Sequence, residues 1–391
     1  MPTTVGGPRG ISTVMLQPRE PEQPRPTPDR DSRPVELGAS NNGRACERIA
    51  GLPPLACIVG APRCGTTTYA RWLRRRPEVC FSKIKEPHFF TLADLRDASD
   101  AEVPTMLMEL YVDRFFPHRE AATELLAEGS VSYLYAPERL RPMLKVWPNA
   151  KFIIALRDPF AMLPSVHQRL LFQGDEVVKD FASAWRLQKA RREGRSIPRS
   201  CIDARQLQYL EVARLGEHVR RMFATVGREN CHVILFDDLQ NDPTSTYLEL
   251  LEFLGLEDDG FRDFSVNRPS RSFRYGWLQR LLKRPTFLTK NALAGQSFKY
   301  RFAAAPAKPS SLIERALTRA RRKLLKWNQR VVKTHNLPPE LQEEIRELLS
   351  DDVQGLAKLI GRDLSHWLGG KSDDGLSKMT PEISRRASSA A

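Results

Sequence analysis

One stretch, "LACIVGAPRCGTTTYARWLRRRP" at residues 55 to 77, constrains this chain more than any other. It begins with an apolar run too short for a helix, passes through a loop framed by Gly60 and Gly65, and continues as a helical pattern that stops before Pro77. A buried strand running straight into a glycine loop and a helix points to an α/β sheet. Gly60 and Gly65 have the outline of a phosphate-cradling loop, yet Thr66 stands where a nucleotide-hydrolysing loop carries lysine. The loop still suits a tetrahedral anion, because backbone N–H groups and the positive end of a helix converge there. Arg63 is the cation inside it.

Two further units repeat the pattern. "AKFIIALRDP" reads as a strand with Arg157 and Asp158 at its end, and "FAMLPSVHQRLLF" continues it as a helix disturbed at Pro164. "CHVILF" reads as a third strand, followed by "NDPTSTYLELLEFLGL", where Asp242 caps a helix with Pro243 at its first position and Gly255 at its end. Strands alternating with helices predict an α/β, P-loop-like three-layer fold with a central, mainly parallel sheet flanked by helices. Long helical patterns fill "SCIDARQLQYLEVARLGEHVRRMF" and "PPELQEEIRELLSDDVQGLAKLIGRDLSHWL".

Residues 1–49 are rich in Pro, Arg, Glu and Gly without apolar periodicity, so they read as a disordered tail, as do residues 371–391. Residues 50–370 form the expected domain, with 271–335 as a basic lid or insertion. The net charge of +14 is concentrated there: Arg271 to Lys333 holds seventeen Lys and Arg against the single acid Glu314, a net of +16, so the rest of the chain sums to −2. Within it, "LIERALTRARRKLLKWNQRVV" (312–332) sets Leu312, Ala316, Ala320, Leu324 and Trp327 near one helical face. That face is expected to meet the core with a solvated basic side opposite; peripheral membrane contact is the alternative. The six cysteines form no CxxC pair, which points away from zinc or disulfides and towards a reducing compartment. With no signal-peptide region and no apolar run near the roughly 20 residues of a membrane span, a soluble, cytoplasmic protein is expected.

Several segments accompany the loop. "KIKEPHFF" (83–90) brings Lys83, Lys85, Glu86 and His88 shortly after the first helix; "LRDPFAMLPS" (156–165) puts Arg157 at a strand end and Ser165 on the next helix. With "VILFDDLQNDP", "NRPSRS" and "LIGRDLSHWL", their order and spacing resemble the sulfotransferases that use 3′-phosphoadenosine 5′-phosphosulfate (PAPS), nearer the bacterial and glycan-modifying branch. The resemblance runs over most of residues 55 to 368. It implies that Arg63, Cys64, Gly65, Thr66, Thr67 and Thr68 hold the 5′-phosphosulfate, with Arg63 in place of the lysine many relatives use. It implies further that Arg157 and Ser165 hold the 3′-phosphate, and that Arg271 with Ser272, or Arg268, closes over the nucleotide. Glu86 matches the family's general base, with His88 as competitor and Arg63 and Lys85 as catalytic cations; no metal is needed. The family's lysine after the glutamate of "EKTP" is missing from Glu128, Gly129, Ser130 and Val131, so Lys83 or Lys85 would have to supply that charge. The implied acceptor is a carbohydrate, a lipid-linked sugar or another small molecule.

Two other classes compete. A P-loop nucleotide kinase would share the fold, and Asp237 and Asp238 imitate a magnesium-holding segment, but without a loop lysine they read as helix-entry or packing residues. A non-enzymatic nucleic-acid binder would use the basic segment, although charge alone gives only non-specific binding.

Overall fold

The computed structural model describes residues 47–201, 203–264, 271–283, 312–331 and 337–369. Five strands form one sheet in the order β2-β3-β1-β4-β5, every neighbouring pair parallel: β1 (Leu55–Gly60), β2 (Val79–Phe81), β3 (Leu125–Glu128), β4 (Lys151–Leu156) and β5 (Cys231–Leu235). All six residues of β1 are buried, as a central parallel strand covered on both faces requires. Sequence pattern shows β1, β4 and β5 but not β2 and β3. Three and four residues are too few for periodicity to register, and β3 ends in the fully buried carboxylate of Glu128.

The helices used below are α1 (Thr66–Arg74), α2 (Pro159–Gln173), α3 (Leu215–Val226), α4 (Pro243–Leu254), α5 (Gly276–Lys283), α6 (Leu312–Asn328) and α7 (Pro339–Ile360). In α4 the Asp242 carboxylate accepts from Ser245 N at 2.9 Å, and Gly255 ends the helix at φ 70°. Helix α2 is capped by Asp158, which accepts from Phe160 N at 2.9 Å, and runs through Pro164 to Gly174. The long helix expected from Ser200 to Phe223 is instead broken into Ala204–Leu207, Tyr209–Ala213 and α3, because Gln208 (ψ 77°) and Arg214 (ψ 64°) leave the helical region. Tertiary contacts outweigh the pattern. Tyr209 is buried with its hydroxyl donating to Glu176 at 2.8 Å, and Asp352 of α7 accepts from Gly216 N and Glu217 N at 2.8 and 2.9 Å, capping α3 from outside.

In the basic segment, β6 (Arg271–Phe273) pairs antiparallel with β7 (Gln329–Val331). Helix α5 is fixed to α2 by the buried Gln279, whose amide donates to Phe172 O at 2.6 Å. The stripe of α6 expected to meet the core does not: Ala316, Ala320, Leu324 and Trp327 are exposed, and the buried Asn328 bonds to Tyr275 instead. Among the described residues no helix is long and apolar enough to cross a membrane.

Candidate active site

The glycine loop sits at the C-terminal ends of β1 and β4, where Ala61 N donates to Ala155 O at 2.6 Å. Gly65 enters α1 at φ 88°, a left-handed conformation that favours glycine, and a Cβ there would press within 2.8 Å of Leu239 Cδ2. The first turn of α1 has neither a side-chain cap nor an acidic residue, which leaves its positive end open to an anion. Arg63 is held at φ 70°, a left-handed conformation uncommon for a side-chain-bearing residue and concentrated at functional sites.

Around that loop three arginines gather. Arg63 Nε donates to Ser165 Oγ on α2 at 2.8 Å, and Arg157 Nη1 donates to Arg63 O at 3.4 Å while its guanidinium lies 4.3 Å from the centre of the Phe236 ring. Loss of hydration on its inner side, together with the like charges of Arg169 and Arg157, lowers the pKa of Arg63. Cys64 turns its thiol into the core, towards Pro62 O and Met162, and burial pushes it up to about 12. What Cys64 can offer a ligand is therefore backbone. Thr66 is buried, and Thr67 and Thr68 are half-buried at the helix start. Arg271 and Ser272 lie on β6 with their side chains outside the described residues, as is the whole of Arg268.

Residues 82–88 are laid along the end of β3 by backbone pairing: Ser82 N donates to Ala127 O at 2.7 Å, Gly129 N to Lys85 O at 3.0 Å, and His88 N to Ser130 Oγ at 2.8 Å. The fully buried Phe89 and Phe90 anchor the chain just beyond them. This fixes Glu86 between two partners, with Lys85 Nζ at 2.5 Å from Oε1 and His88 Nε2 at 3.5 Å from Oε2. His88 Nδ1 meets Ser132 Oγ at 2.8 Å, and Ser132 Oγ meets Thr91 Oγ1 at 2.8 Å. Burial pushes the Glu86 carboxyl up, but the His88 hydrogen bond and the charges of Lys85, His88 and Arg169 outweigh it and hold it well below the usual range. Behind it, Glu128 is raised to about 7 by burial despite its bond from Ser130 Oγ at 2.6 Å, with the nearby Glu86 charge adding to the rise.

Glu86 and His88 open into a cavity of about 350 Å³ that begins at Pro62 of the loop. Arg169 and Gln173 of α2 line it, as do Asp203, Arg205, Gln206 and Glu211. No motif in the sequence singles out Arg169, although it lies four residues after Ser165 and so shares its helix face. No sequence signal marks Ser132 either: the neighbouring Glu128 to Val131 stand out only as a segment without the family's lysine. Asp237 and Asp238 are occupied elsewhere: Asp238 pairs with Arg362 at 2.8 Å, and Asp237 receives His366 Nε2 and Trp367 Nε1 at 3.1 and 3.2 Å, which is why "GRDLSHW" closes the domain. Among the described residues no group of three or more His, Cys, Asp and Glu side chains is placed to hold a metal ion.

The Sulfotransferase family model matches residues 54–260, which takes in all five strands of the sheet, the loop and both sides of the cavity. The chain belongs to the sulfotransferase family. Similar curated proteins are Carbohydrate sulfotransferase 15 of Homo sapiens, 31% identical over 143 residues, and of Mus musculus, 44% identical over 143 residues. Each of these matches covers 28% of this chain and 26% of the relative, so the chain spans about a quarter of the curated relatives it matches. A sulfotransferase from Alicyclobacillus acidocaldarius superposes with a TM-score of 0.53 at 23% identity, over 81% of this chain and 99% of that one, a likeness of fold.

Proposed function

We propose that this sulfotransferase moves a sulfuryl group from PAPS to a hydroxyl of a carbohydrate-like acceptor. The observation that carries the reading is the convergence of Arg63, Arg157 and Arg169 beside an uncapped helix start, with Glu86 and His88 opening from the same place into a cavity that Arg169 also lines. Several positive charges around Arg63, which bonds to a hydroxyl, make a receptor for a polyanion. Loop amides, Thr66, Thr67 and Thr68 would bind the 5′-phosphate, and Arg157 with Ser165 the 3′-phosphate.

In the reaction the acceptor oxygen attacks sulfur in line, the bond between sulfur and the bridging phosphate oxygen breaks, and adenosine 3′,5′-bisphosphate leaves with the electron pair. Arg63 neutralises the charge that grows on the leaving oxygen, and Arg169, on the acceptor side, supplies the cation that the "EGSV" segment lacks. The proton passes to Glu86. A carboxylate held this low is a weak base, which suffices if the attacking oxygen becomes acidic only as its bond to sulfur forms. His88, set by Ser132 and its own left-handed φ of 56°, orients that carboxylate. Asp203, Gln206 and Glu211 in the cavity lining suit a ligand with hydroxyls, in keeping with the carbohydrate sulfotransferases among the relatives.

Calorimetric titration with adenosine 3′,5′-bisphosphate, beside ADP and ATP with and without magnesium, tests the reading. Selective binding of the bisphosphate, weakened by Arg157→Ala, supports it. Preference for magnesium-ATP would return the kinase reading, and no binding would remove the donor site.

A further inference from the structure

Six of the eight large apolar side chains that stand exposed among the described residues fall in one short part of the chain: Tyr275, Trp277, Leu281, Leu317, Leu324 and Trp327. They are organised. On α5, Trp277 and Leu281 are four residues apart on the face opposite the buried anchor Gln279. On α6, Leu317 and Leu324 are seven apart with exposed Ala320 between them, and Trp327 continues the stripe. The two helices are joined where Arg321 Nε donates to Leu282 O at 2.8 Å and where the rings of Tyr275 and Trp327 stack with centres 5.7 Å apart. Trp277 is 62% exposed and Trp327 52%, so the anchoring that fixes these helices leaves their large rings outside.

Beside the apolar stripe runs a basic one. Arg319, Arg322, Lys323 and Lys326 are exposed on another side of α6, and Arg274, which follows β6, and Arg330, within β7, are exposed as well. Helix α6 therefore presents three surfaces: one turned to α5, one apolar and one cationic. Tryptophan and leucine beside lysine and arginine is the combination that lies in the headgroup region of a bilayer, with rings and aliphatic chains below the phosphates and cations among them. Nucleic acid would use the cations and the rings but has no use for Leu281, Leu317 and Leu324.

We propose that this face of α5 and α6 docks the protein on an anionic lipid surface. The inference does not depend on the sulfuryl-transfer reading. It places the cavity beside Glu86 and His88 near the lipid, because Gln279 fastens α5 to Phe172 O, and the next residue, Gln173, lines that cavity. A protein so docked can reach acceptors that carry a lipid anchor.

The test is cosedimentation of the full chain with sucrose-loaded vesicles, of phosphatidylcholine alone and of phosphatidylcholine with phosphatidylserine. Partition onto the mixed vesicles is expected to exceed that onto neutral ones about tenfold or more, and to fall with added salt. The double variant Leu281→Glu, Leu324→Glu alters only exposed side chains; it is expected to keep the wild-type circular dichroism and bisphosphate titration while losing about tenfold in partition. Equal sedimentation with both vesicle types, or a folded double variant that partitions like the wild type, overturns the proposal. So does a self-association seen by light scattering that the double variant abolishes in the absence of vesicle binding, or binding of single-stranded nucleic acid without binding of vesicles. If the bisphosphate fails to bind while vesicles do, the donor reading falls and the docking face stands.

Discussion

Removing the guanidinium of Arg191 should cost this domain several kcal/mol, although Arg191 touches neither loop nor cavity. Arg191 and Glu176 are both fully buried, and the pair is two-pronged, with Nη1 at 2.8 Å from Oε2 and Nη2 at 2.9 Å from Oε1. Breaking such a pair from one side leaves an uncompensated charge and typically costs about 3–5 kcal/mol. Glu176 keeps three other donors, Tyr209 OH at 2.8 Å and the N–H groups of Val177 and Val178 at 2.8 and 3.0 Å, which places Arg191→Leu near the lower end, about 3 kcal/mol. For a domain of this size that is a fall in Tm of roughly 4–5 °C. Burial raises the pKa of Glu176, but Arg191 and these donors outweigh it and leave it depressed. The pair's contribution is thus present above the ordinary carboxylate range and lost as pH falls through the depressed value. Thermal and urea unfolding followed by circular dichroism near neutral pH measure the effect. Adding Glu176→Gln to Arg191→Leu removes the stranded charge while retaining an acceptor for Tyr209, and should recover about 1 kcal/mol or more. A loss below about 1 kcal/mol for the single variant, or no recovery in the double, would refute the claim that this pair is shut off from water.

Glu128 should make the wild type less stable in mild alkali. Its carboxyl titrates at about 7 in the fold against an ordinary 4.5, so the protonated form's contribution is complete below 4.5 and disappears as pH rises through 7. Glu128→Gln should flatten the pH dependence of urea unfolding between about pH 5 and pH 8 by up to roughly 3 kcal/mol; parallel curves for variant and wild type would show that Glu128 is not the group responsible. Arg169→Gln should lower kcat/KM for the acceptor by about 10²-fold while changing bisphosphate affinity by less than about tenfold, measured by steady-state kinetics and calorimetry; the reverse split would move Arg169 to the donor side. Gly65→Ala, forced to φ 88° with a methyl against Leu239, should destabilise the loop by about 1–3 kcal/mol and weaken bisphosphate binding in the same titration; an undiminished affinity would mean that the loop can reshape.

The sheet's centre could be read because its signals are local. β1 is a continuous apolar run ended by glycine, and Asp242, Pro243 and Gly255 punctuate α4 where the sequence places them. β2 and β3 carry no such signal, because strands of three and four residues gain their identity from their neighbours. The breaks at Gln208 and Arg214 depend on Glu176 and Asp352, which bond to Tyr209 and Gly216 across 33 and 136 residues of chain, separations that no helical period contains. Lys85, Glu86 and His88 stand together in one short motif, whereas Ser132 meets His88 across 44 residues of chain, a contact no local pattern carries. The exposed stripe of α6 shows a different limit. A hydrophobic face in a sequence says that something should cover it, and not what.

Helix α2 works as a measuring rod. Ser165, Arg169 and Gln173 stand four residues apart, about 6 Å per step along one face, and Phe172 O holds α5 at the far end. The partner of Arg63, two residues of the cavity wall and the anchor of α5 are therefore graduations on a single stick, capped at one end by Asp158 and at the other by Gly174. Residues beyond the midpoint can be exchanged to reshape the cavity without disturbing the first two turns, whereas one residue inserted near Val166 would rotate every later graduation by about 100° and take Arg169 out of the cavity.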